Sequence, residues 1–563
     1  MSYLTYERGD KVLGYHVDKY GNSYVAGYYY ENMNNTSVPA AFIRKYDASG
    51  NLLWSNLQSV SMYISTLSYH GSFATAVTSD DNGNVYVTGA YSYYNFYINA
   101  IVLNNPSNKL HGFVVKLDSS GIAQWIINIT NDNASHGNEG PSDILYLNDN
   151  KIFFTTSGGP ASIKFANGYT YTMPFSSTLD LITINSSGIF QHNINLGTGG
   201  LYNATIPYSN NPTDYQRIMV TPKMKFNHNN KIVLTASGSN LYLTNFTFAN
   251  FTGGYVAIID TALGIEKAFI TLSPGVYAYT PYKAAIALDS YNNIYLSYVL
   301  NYDPMANDCD PDYNISAAIG TGPALPNSTH KSFLMKYDTA GTLLWYNMNT
   351  NFLTTSLSYI NDNNLYAFGE FYEMMGISSQ TLQSQGLHSN GNRDMFLASY
   401  TLTGDLNWVK PIGTSSPESA MPMTEDTCNR HLYFIGSLAD TITFMNQTIN
   451  ANNQLVIFKF SPDTNCATIP CAAVPVSVNS QSETLNGNIS AYPNPVISIV
   501  NLKLESNGRH TIRLNNTFGE ILFQSLINSG QMKIDMSNFQ KGIYFVTVTD
   551  ESMHSVILKI VRM

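Results

Sequence analysis

The chain has 563 residues, of which 12% are charged and 13% aromatic, and a formal net charge of −10. Globular chains carry about 25% charged residues; here polarity comes from Asn, Ser, Thr and Tyr, which suit turns and half-exposed sheet faces. An acidic balance without a basic block argues against nucleic acid or an anionic membrane as partner, and no apolar run of about 18 residues is present to span a bilayer.

Ser2–Tyr6 (SYLTY) reads as a strand with no unit in front of it. After it a two-part unit recurs seven times. Its first part is a strand, a turn of Asp, Asn and Gly, and a second strand. The copies are Val17–Gly27, Val77–Gly89, Leu145–Gly158, Met224–Gly238, Ile286–Ser297, Leu357–Gly369 and Cys428–Gly436. The second part is an apolar strand, a tight turn and another strand, often closed by Trp. It occurs at Phe42–Trp54, Phe113–Trp125, Leu181–Gln191, Val256–Ala268, Phe333–Trp345 and Phe396–Trp408. The seventh copy, Val456–Asn465, stops before its last strand, and Ser2–Tyr6 can supply the missing one.

Period-2 alternation of β-branched and aromatic residues makes these segments strands. Asp47, Asp118 and Asp338 can accept bonds from backbone N–H groups further along their turns, and Gly50, Gly121 and Gly341 can take positive φ. Asp18, Asp80 and Asp289 read as turn caps. Turn positions recur 62 to 80 residues apart, whereas a four-stranded propeller blade needs about 40–45. The surplus falls between the two parts of each unit, where Phe96–Val102 and Ile442–Ile449 suggest an added hairpin or loop. The expected fold is all-β: a seven-bladed β-propeller over residues 1–472, a linker over 473–488 and a small C-terminal Ig-like β-sandwich over 489–563.

Sequence signatures of chemistry are sparse. There is no His-Glu-x-x-His pair, Gly-x-Ser-x-Gly elbow, phosphate loop or dinucleotide fingerprint. Asp10, His70, His136 and Glu139 fall in comparable loops and are candidates for a composite binding face around the propeller axis; the alternative is ordinary solvated loop residues. Asp303, Asp308, Asp310 and Asp312 lie within ten residues, an oxygen density that calcium favours, or else a solvated acidic loop. No cofactor other than calcium is suggested. Of the four cysteines, Cys309, Cys428, Cys466 and Cys471, the last two are near enough to bond in an oxidising compartment or to remain thiols.

The repeat resembles the bacterial SBBP family of β-propeller repeats, best at Asp18–Gly27, Asp80–Gly89, Phe42–Trp54 and Phe333–Trp345. That resemblance implies architecture and extracellular use, with no shared catalytic residue. The C-terminal segment resembles the type A sorting domain of the type IX secretion system of Bacteroidota. Its signature is Tyr492-Pro493-Asn494-Pro495, then Gly519 after Phe518, Asp535, the run from Gly542 through Tyr544, and Lys559 near the end.

This second resemblance implies a secreted or outer-membrane surface protein, delivered by the type IX secretion machinery. Such proteins carry an N-terminal export signal, and Met1–Tyr6 has no basic or apolar leader, so the start reads as truncated. The expected function is a monomeric, non-catalytic binding or scaffold propeller whose partner is a surface polysaccharide or protein. The alternative is a secreted polysaccharide lyase or glycosidase with two carboxylates, or a Tyr/His/Arg set, converging about the axis.

Overall fold

The computed structural model describes residues 2–6, 10–33, 36–57, 71–92, 95–105, 110–130, 140–147, 151–158, 161–173, 178–198, 222–243, 246–274, 284–300, 317–319, 331–360, 364–377, 385–426, 431–445, 447–451, 454–461, 489–504, 509–516, 521–528, 530–537, 539–549 and 555–562. The chain forms two compact units, Met1–Ile469 and Pro470–Met563, both all-β with antiparallel sheets.

The larger unit repeats one four-stranded meander. The first sheet runs Lys11–Val17, Ser23–Met33, Thr36–Tyr46 and Leu52–Leu57, and the second Ser72–Ser79, Val85–Tyr91, His111–Leu117 and Ala123–Thr130. The third is Gly140–Tyr146, Ile152–Gly158, Thr178–Ile184 and Phe190–Thr198; the fourth is Lys223–Phe226, Ile232–Leu243, Phe246–Ile259 and Ile265–Pro274. The fifth begins with Ala284–Leu288, Ile294–Leu300 and Lys331–Tyr337. One long strand, Leu343–Ile360, then ends the fifth sheet with residues 343–350 and opens the sixth with 353–360. Asn364–Ile377, Gln385–Thr401 and Leu406–Ile412 complete the sixth. The seventh is Ser419–Glu425, Leu432–Leu438 and Gln454–Phe460, and its fourth place is filled by Ser2–Tyr6, with Ser2 opposite Lys459 and Tyr6 opposite Leu455. The expected pairing of the two chain ends is therefore present. It caps an edge that would otherwise expose unpaired backbone groups.

Apolar residues of each sheet are buried against the next sheet. Tyr24 and Ile43 of the first pack with Val87 and Phe113 of the second, and the pattern continues from second to third, third to fourth, fourth to fifth, fifth to sixth and sixth to seventh. A further cluster joins Met421, Ile435 and Ile457 of the seventh to Val12, Val25 and Phe42 of the first. The first strands follow the same cycle, with Lys11–Val17 touching both Ser72–Ser79 and Ser419–Glu425.

A polar node recurs at the turn after the first strand. Asp18 Oδ1 accepts the N–H groups of Tyr20 and Asn22, while Oδ2 accepts the Asn22 amide and the Tyr24 hydroxyl at 3.0 Å. Asp80 repeats this with Asn82, Asn84 and Tyr86, and Asp289 with Tyr291, Asn293 and Tyr295. All three aspartates are buried. A lysine from the third strand lies over each tyrosine ring: Lys45 over Tyr24, Lys116 over Tyr86 and Lys336 over Tyr295. Lys336 Nζ is also 3.4 Å from Asp289 Oδ2. A buried carboxylate thus receives several donors and a nearby cation, the condition under which burying it is tolerable.

Neighbouring sheets are also pinned at their outer turns. Trp54 Nε1 donates to Ser119 O, Trp125 to Ser186 O and Trp345 to Leu402 O, in each case on the following sheet. Gly121, at φ 84°, sits so close to the Trp54 ring that a Cβ would lie 2.7 Å from it. Glycine there meets both the turn and the contact.

In four of the repeats the surplus length has a structural reason. Hairpin Asn95–Ile98/Ile101–Asn104 reaches the first sheet through Asn56 Nδ2 to Asn99 Oδ1. The hairpin Ser162–Lys164/Thr170–Thr172 of the third repeat adds to the outer edge of the second sheet. Ala317–Ile319 of the fifth repeat likewise adds to the fourth, and Phe444 and Ile449 of the Ile442–Phe444/Gln447–Ile449 hairpin pack into the core shared with the sixth. Insertions thus reach back to cover the preceding sheet's edge.

In the smaller unit, a three-stranded sheet (Ile489–Tyr492, Ile499–Leu504, Gly530–Asp535) and a four-stranded sheet (Ile521–Ile527, His510–Asn516, Gly542–Thr549, Ser555–Arg562) share one core containing Val500, Leu502, Ile512, Leu514, Val546 and Ile560.

Removing the carboxylate of Asp289 orphans three N–H donors and the Tyr295 hydroxyl. Asp289→Ala is expected to cost about 2–4 kcal/mol in urea unfolding. Asp47→Ala, at an exposed turn with the same backbone bonds, should cost clearly less. Equal losses would show that the buried node is not what matters.

Candidate functional site

The ends of the first strands bring polar side chains of several sheets together. Several carry a bulge, seen as register shifts at Val12/Gly14, Ala74/Ala76, Pro141/Asp143, Thr354/Ser356 and Ala420/Met423. A bulge re-aims the residues that follow it. The extra residue also bridges sheets: Thr75 Oγ1 donates to Pro141 O at 3.0 Å and Thr355 Oγ1 to Met421 O at 3.5 Å.

Beyond the bulges, Glu425 of the seventh sheet meets Lys225 of the fourth, with Nζ 2.5 Å from Oε1. These sheets are not neighbours in the cycle, so the pair spans its centre. Ser358 of the sixth sheet donates to the other Glu425 oxygen at 2.6 Å. Asp143 of the third accepts the Met224 N–H at 2.7 Å and feels Lys223 and Lys225. On the first sheet, His16 Nε2 is 3.0 Å from Ser79 Oγ of the second. Six of the seven sheets contribute to this cluster.

Its electrostatics are asymmetric. Burial raises the Asp143 carboxyl above its usual range, with Lys223 opposing. Burial pushes Glu425 the same way, but the Lys225 ammonium and its hydrogen bonds outweigh it and hold it below the usual value. Burial lowers the His16 imidazole to about 4, against the pull of Asp18 and Glu425, so it is neutral at pH 7. The cluster holds a fixed ion pair, a neutral imidazole and hydroxyls, a set able to hydrogen-bond a polar ligand in both senses.

Of the residues singled out for a binding face, Asp10 is buried and pairs with Arg44, whose guanidinium lies 4.3 Å from the centre of the Phe42 ring. His70, His136 and Glu139 lie outside the described residues, as do Asp303, Asp308, Asp310, Asp312, Gly519, the four cysteines and segment 473–488. Among the described residues no three His, Cys, Asp or Glu side chains converge as a metal site. Sequence reading missed the central cluster because its members lie in the ordinary alternation of short strands. Only the tertiary fold makes positions 225 and 425 neighbours.

The C-terminal signature builds one corner of the smaller unit. Both Tyr492–Pro493 and Asn494–Pro495 are cis. Asn494 donates to Lys559 O at 2.5 Å and accepts the Val561 N–H at 2.8 Å, tying the first strand's end to the last strand. Arg562 reaches Met536 O and Ser537 O, Asp535 accepts the Ser537 N–H, and the Tyr544 hydroxyl donates to Gln540 O at 2.6 Å. Tyr492, Ile497 and Ile499 remain exposed.

Residues 490–562 match the family of secretion system C-terminal sorting domains. No curated protein matches the chain. Among solved structures, a DUF4221-family protein from Bacteroides vulgatus aligns at 10% identity over 65% of this chain and 92% of its own, TM-score 0.27. PorZ, a surface component of the type IX secretion system of Porphyromonas gingivalis, aligns at 10% identity over all of both chains, TM-score 0.16. A sucrose-6-phosphate hydrolase from Lactobacillus gasseri aligns at 10% identity over 81% and 91%, TM-score 0.26. Overlaps this loose carry no functional argument. Among the described residues no helix is long and apolar enough to cross a membrane. The chain thus bears a C-terminal type IX sorting signal, consistent with a secreted or surface-exposed protein.

Two substitutions test the cluster. Lys225→Met strands the partly buried Glu425 carboxylate and should cost about 1–3 kcal/mol at pH 7. As pH falls the gap to wild type should shrink, first as the unpaired carboxyl of the variant takes a proton and then as Glu425 of wild type does. His16 has a folded pKa below its unfolded one, so the stability tied to its neutral form is full above about pH 6.5 and lost as pH falls toward 4. The limiting slope is about 1.4 kcal/mol per pH unit. Urea midpoints between pH 7 and 4 should decline less steeply in His16→Gln; parallel curves would show that His16 does not titrate in this window.

Proposed function

We propose that the larger unit is a seven-bladed propeller of SBBP-like repeats from a member of the Bacteroidota, serving as surface or secreted binding cargo. The smaller unit, read as an Ig-like sandwich, is its type IX address. The sorting-domain match over residues 490–562 carries this reading. The cyclic order of inter-sheet cores supports the propeller, and the Tyr544 hydroxyl bonding back to Gln540 supports an Ig-like corner. The turns after the first strands also carry exposed aromatic rings, Tyr20 at 61% and Tyr291 at 76%. Aromatic rings beside mixed donors and acceptors suit a glycan or a protein loop.

A hydrolase or lyase reading has one observation in its favour: Asp143 and Glu425, both near Lys225, are displaced in opposite directions, as an acid and a base would be. A panel of polysaccharides assayed with wild type and Glu425→Gln decides between the readings; turnover lost in the variant would make the protein an enzyme.

Delivery is tested by fractionation. With an export signal supplied, the full chain should reach the surface or medium, and a chain lacking Tyr492–Met563 should stay periplasmic and melt at the temperature of the intact larger unit. Fusing Ile489–Met563 to an unrelated periplasmic protein should export that protein. Equal export with and without the segment would remove the address function. Intact mass of the exported protein tells whether the address is cleaved.

A further inference from the structure

Between the sixth and seventh sheets lies a second charged group unconnected to the central cluster. Glu370, Asp394 and Glu418 are all buried, the last two completely, and one guanidinium, Arg393, stands among them. Arg393 is already engaged: Nη2 donates to Ser419 Oγ at 2.9 Å and Nη1 lies 3.7 Å from Glu370 Oε2. Glu370 also accepts the Ala420 N–H. Among the described residues neither Asp394 nor Glu418 makes a close ion pair, and the Arg393 charge acts on Glu418 only from beyond contact.

Both carboxyls are held by the segment that precedes the seventh sheet and by the turn before Asp394. The segment 413–418 folds over Asp394 so closely that a Cβ on Gly413 would come within 2.2 Å of its Cγ. Asp394 is fixed by the Asn390 N–H at 2.8 Å, and Glu418 Oε1 accepts the Thr414 hydroxyl at 2.5 Å. Glu418 Oε2 is fully buried and has no hydrogen-bond partner. A buried carboxylate oxygen without a donor is destabilising, and two adjacent buried carboxylates repel each other. Each raises the other's need for a positive partner; burial and, for Glu418, the Asp394 charge push both carboxyls above their usual range.

We propose that Asp394 and Glu418 bind a divalent cation of the calcium class, with the Thr414 hydroxyl and backbone carbonyls of segment 413–418 as further oxygen donors. A set of carboxylate, hydroxyl and carbonyl oxygens without His or Cys selects a hard cation over zinc. The ion locks segment 413–418, which leads into the first strand of the seventh sheet and so toward Glu425. It acts as a clasp between the last two sheets. The proposal rests on none of the aspartates at 303–312 and does not depend on the binding reading above.

The test uses the full chain, calcium chloride and EDTA. Equilibrium dialysis with radioactive calcium should find a bound ion that is lost in the isosteric variants Glu418→Gln and Asp394→Asn and retained in Asp308→Asn/Asp310→Asn. Calcium at 100-fold over its dissociation constant should raise the wild-type Tm by about 2 °C or more and leave Glu418→Gln unmoved. Because the amide relieves the like-charge contact, Glu418→Gln should fold and match or exceed calcium-free wild type. The proposal is overturned if no calcium binds, or if binding survives in Glu418→Gln and vanishes in Asp308→Asn/Asp310→Asn. It also fails if acidification from pH 7 to 5 raises the Tm while calcium does nothing, the sign of two carboxyls sharing a proton.

Discussion

In three of the seven repeats the turn, the core and the contact to the next sheet depend on one buried carboxylate. Asp18, Asp80 and Asp289 each gather two backbone N–H groups, an asparagine amide and a tyrosine hydroxyl. Each of these tyrosines lies under a lysine from the third strand. This one contact fixes the tight turn after the first strand and the rotamer of the tyrosine that fills the inter-sheet core. It also holds the lysine that reaches the next sheet: Lys116 Nζ donates to Ser186 O and Lys336 Nζ to Leu402 O. Turn, core and inter-sheet contact are therefore set together. That coupling explains how a sheet of short strands with few charges holds a definite register.

Repetition multiplies the device and then lets it vary. The fourth repeat has Asn227 in place of the aspartate, and it still caps the N–H groups of Asn229 and Lys231. The seventh uses Asp426, which pairs with His431 at 2.7 Å. The outer insertions, which lengthen four of the repeats, cover the preceding sheet and enlarge the core it shares. Stability in such an array comes from nearest-neighbour interfaces, and closing the array through Ser2–Tyr6 gives every sheet two neighbours.

The cluster around Glu425 has different chemistry from the repeat. Most of its members occupy matching places, His16, Lys225 and Ser358 one or two residues before the end of a first strand and Ser79 and Glu425 at that end, yet they differ in charge and hydrogen-bonding sense. Asymmetry of this kind in a near-symmetric scaffold places unlike groups face to face, as recognition of a polar ligand requires. The sorting unit uses its signature differently. Asn494, Asp535, Tyr544 and Arg562 are consumed in holding one corner, while Tyr492, Ile497 and Ile499 stay in water.

Local pattern alone determined the strands, their seven-fold recurrence and the Asp/Gly turns, because period-2 alternation and turn chemistry depend on residues a few positions apart; the C-terminal address was legible only as a resemblance to a known family. The matched surplus and deficit of one strand even foretold that Ser2–Tyr6 would complete the last sheet. Only tertiary structure decided that Lys225 and Glu425 form an ion pair, that Asp10 is buried against Arg44, and that Asp394 and Glu418 sit together. These contacts join residues far apart in the chain whose local contexts are unremarkable strand and loop. Their meeting is set by how many sheets close the cycle and by where bulges turn the first strands, and neither is a property of any short segment.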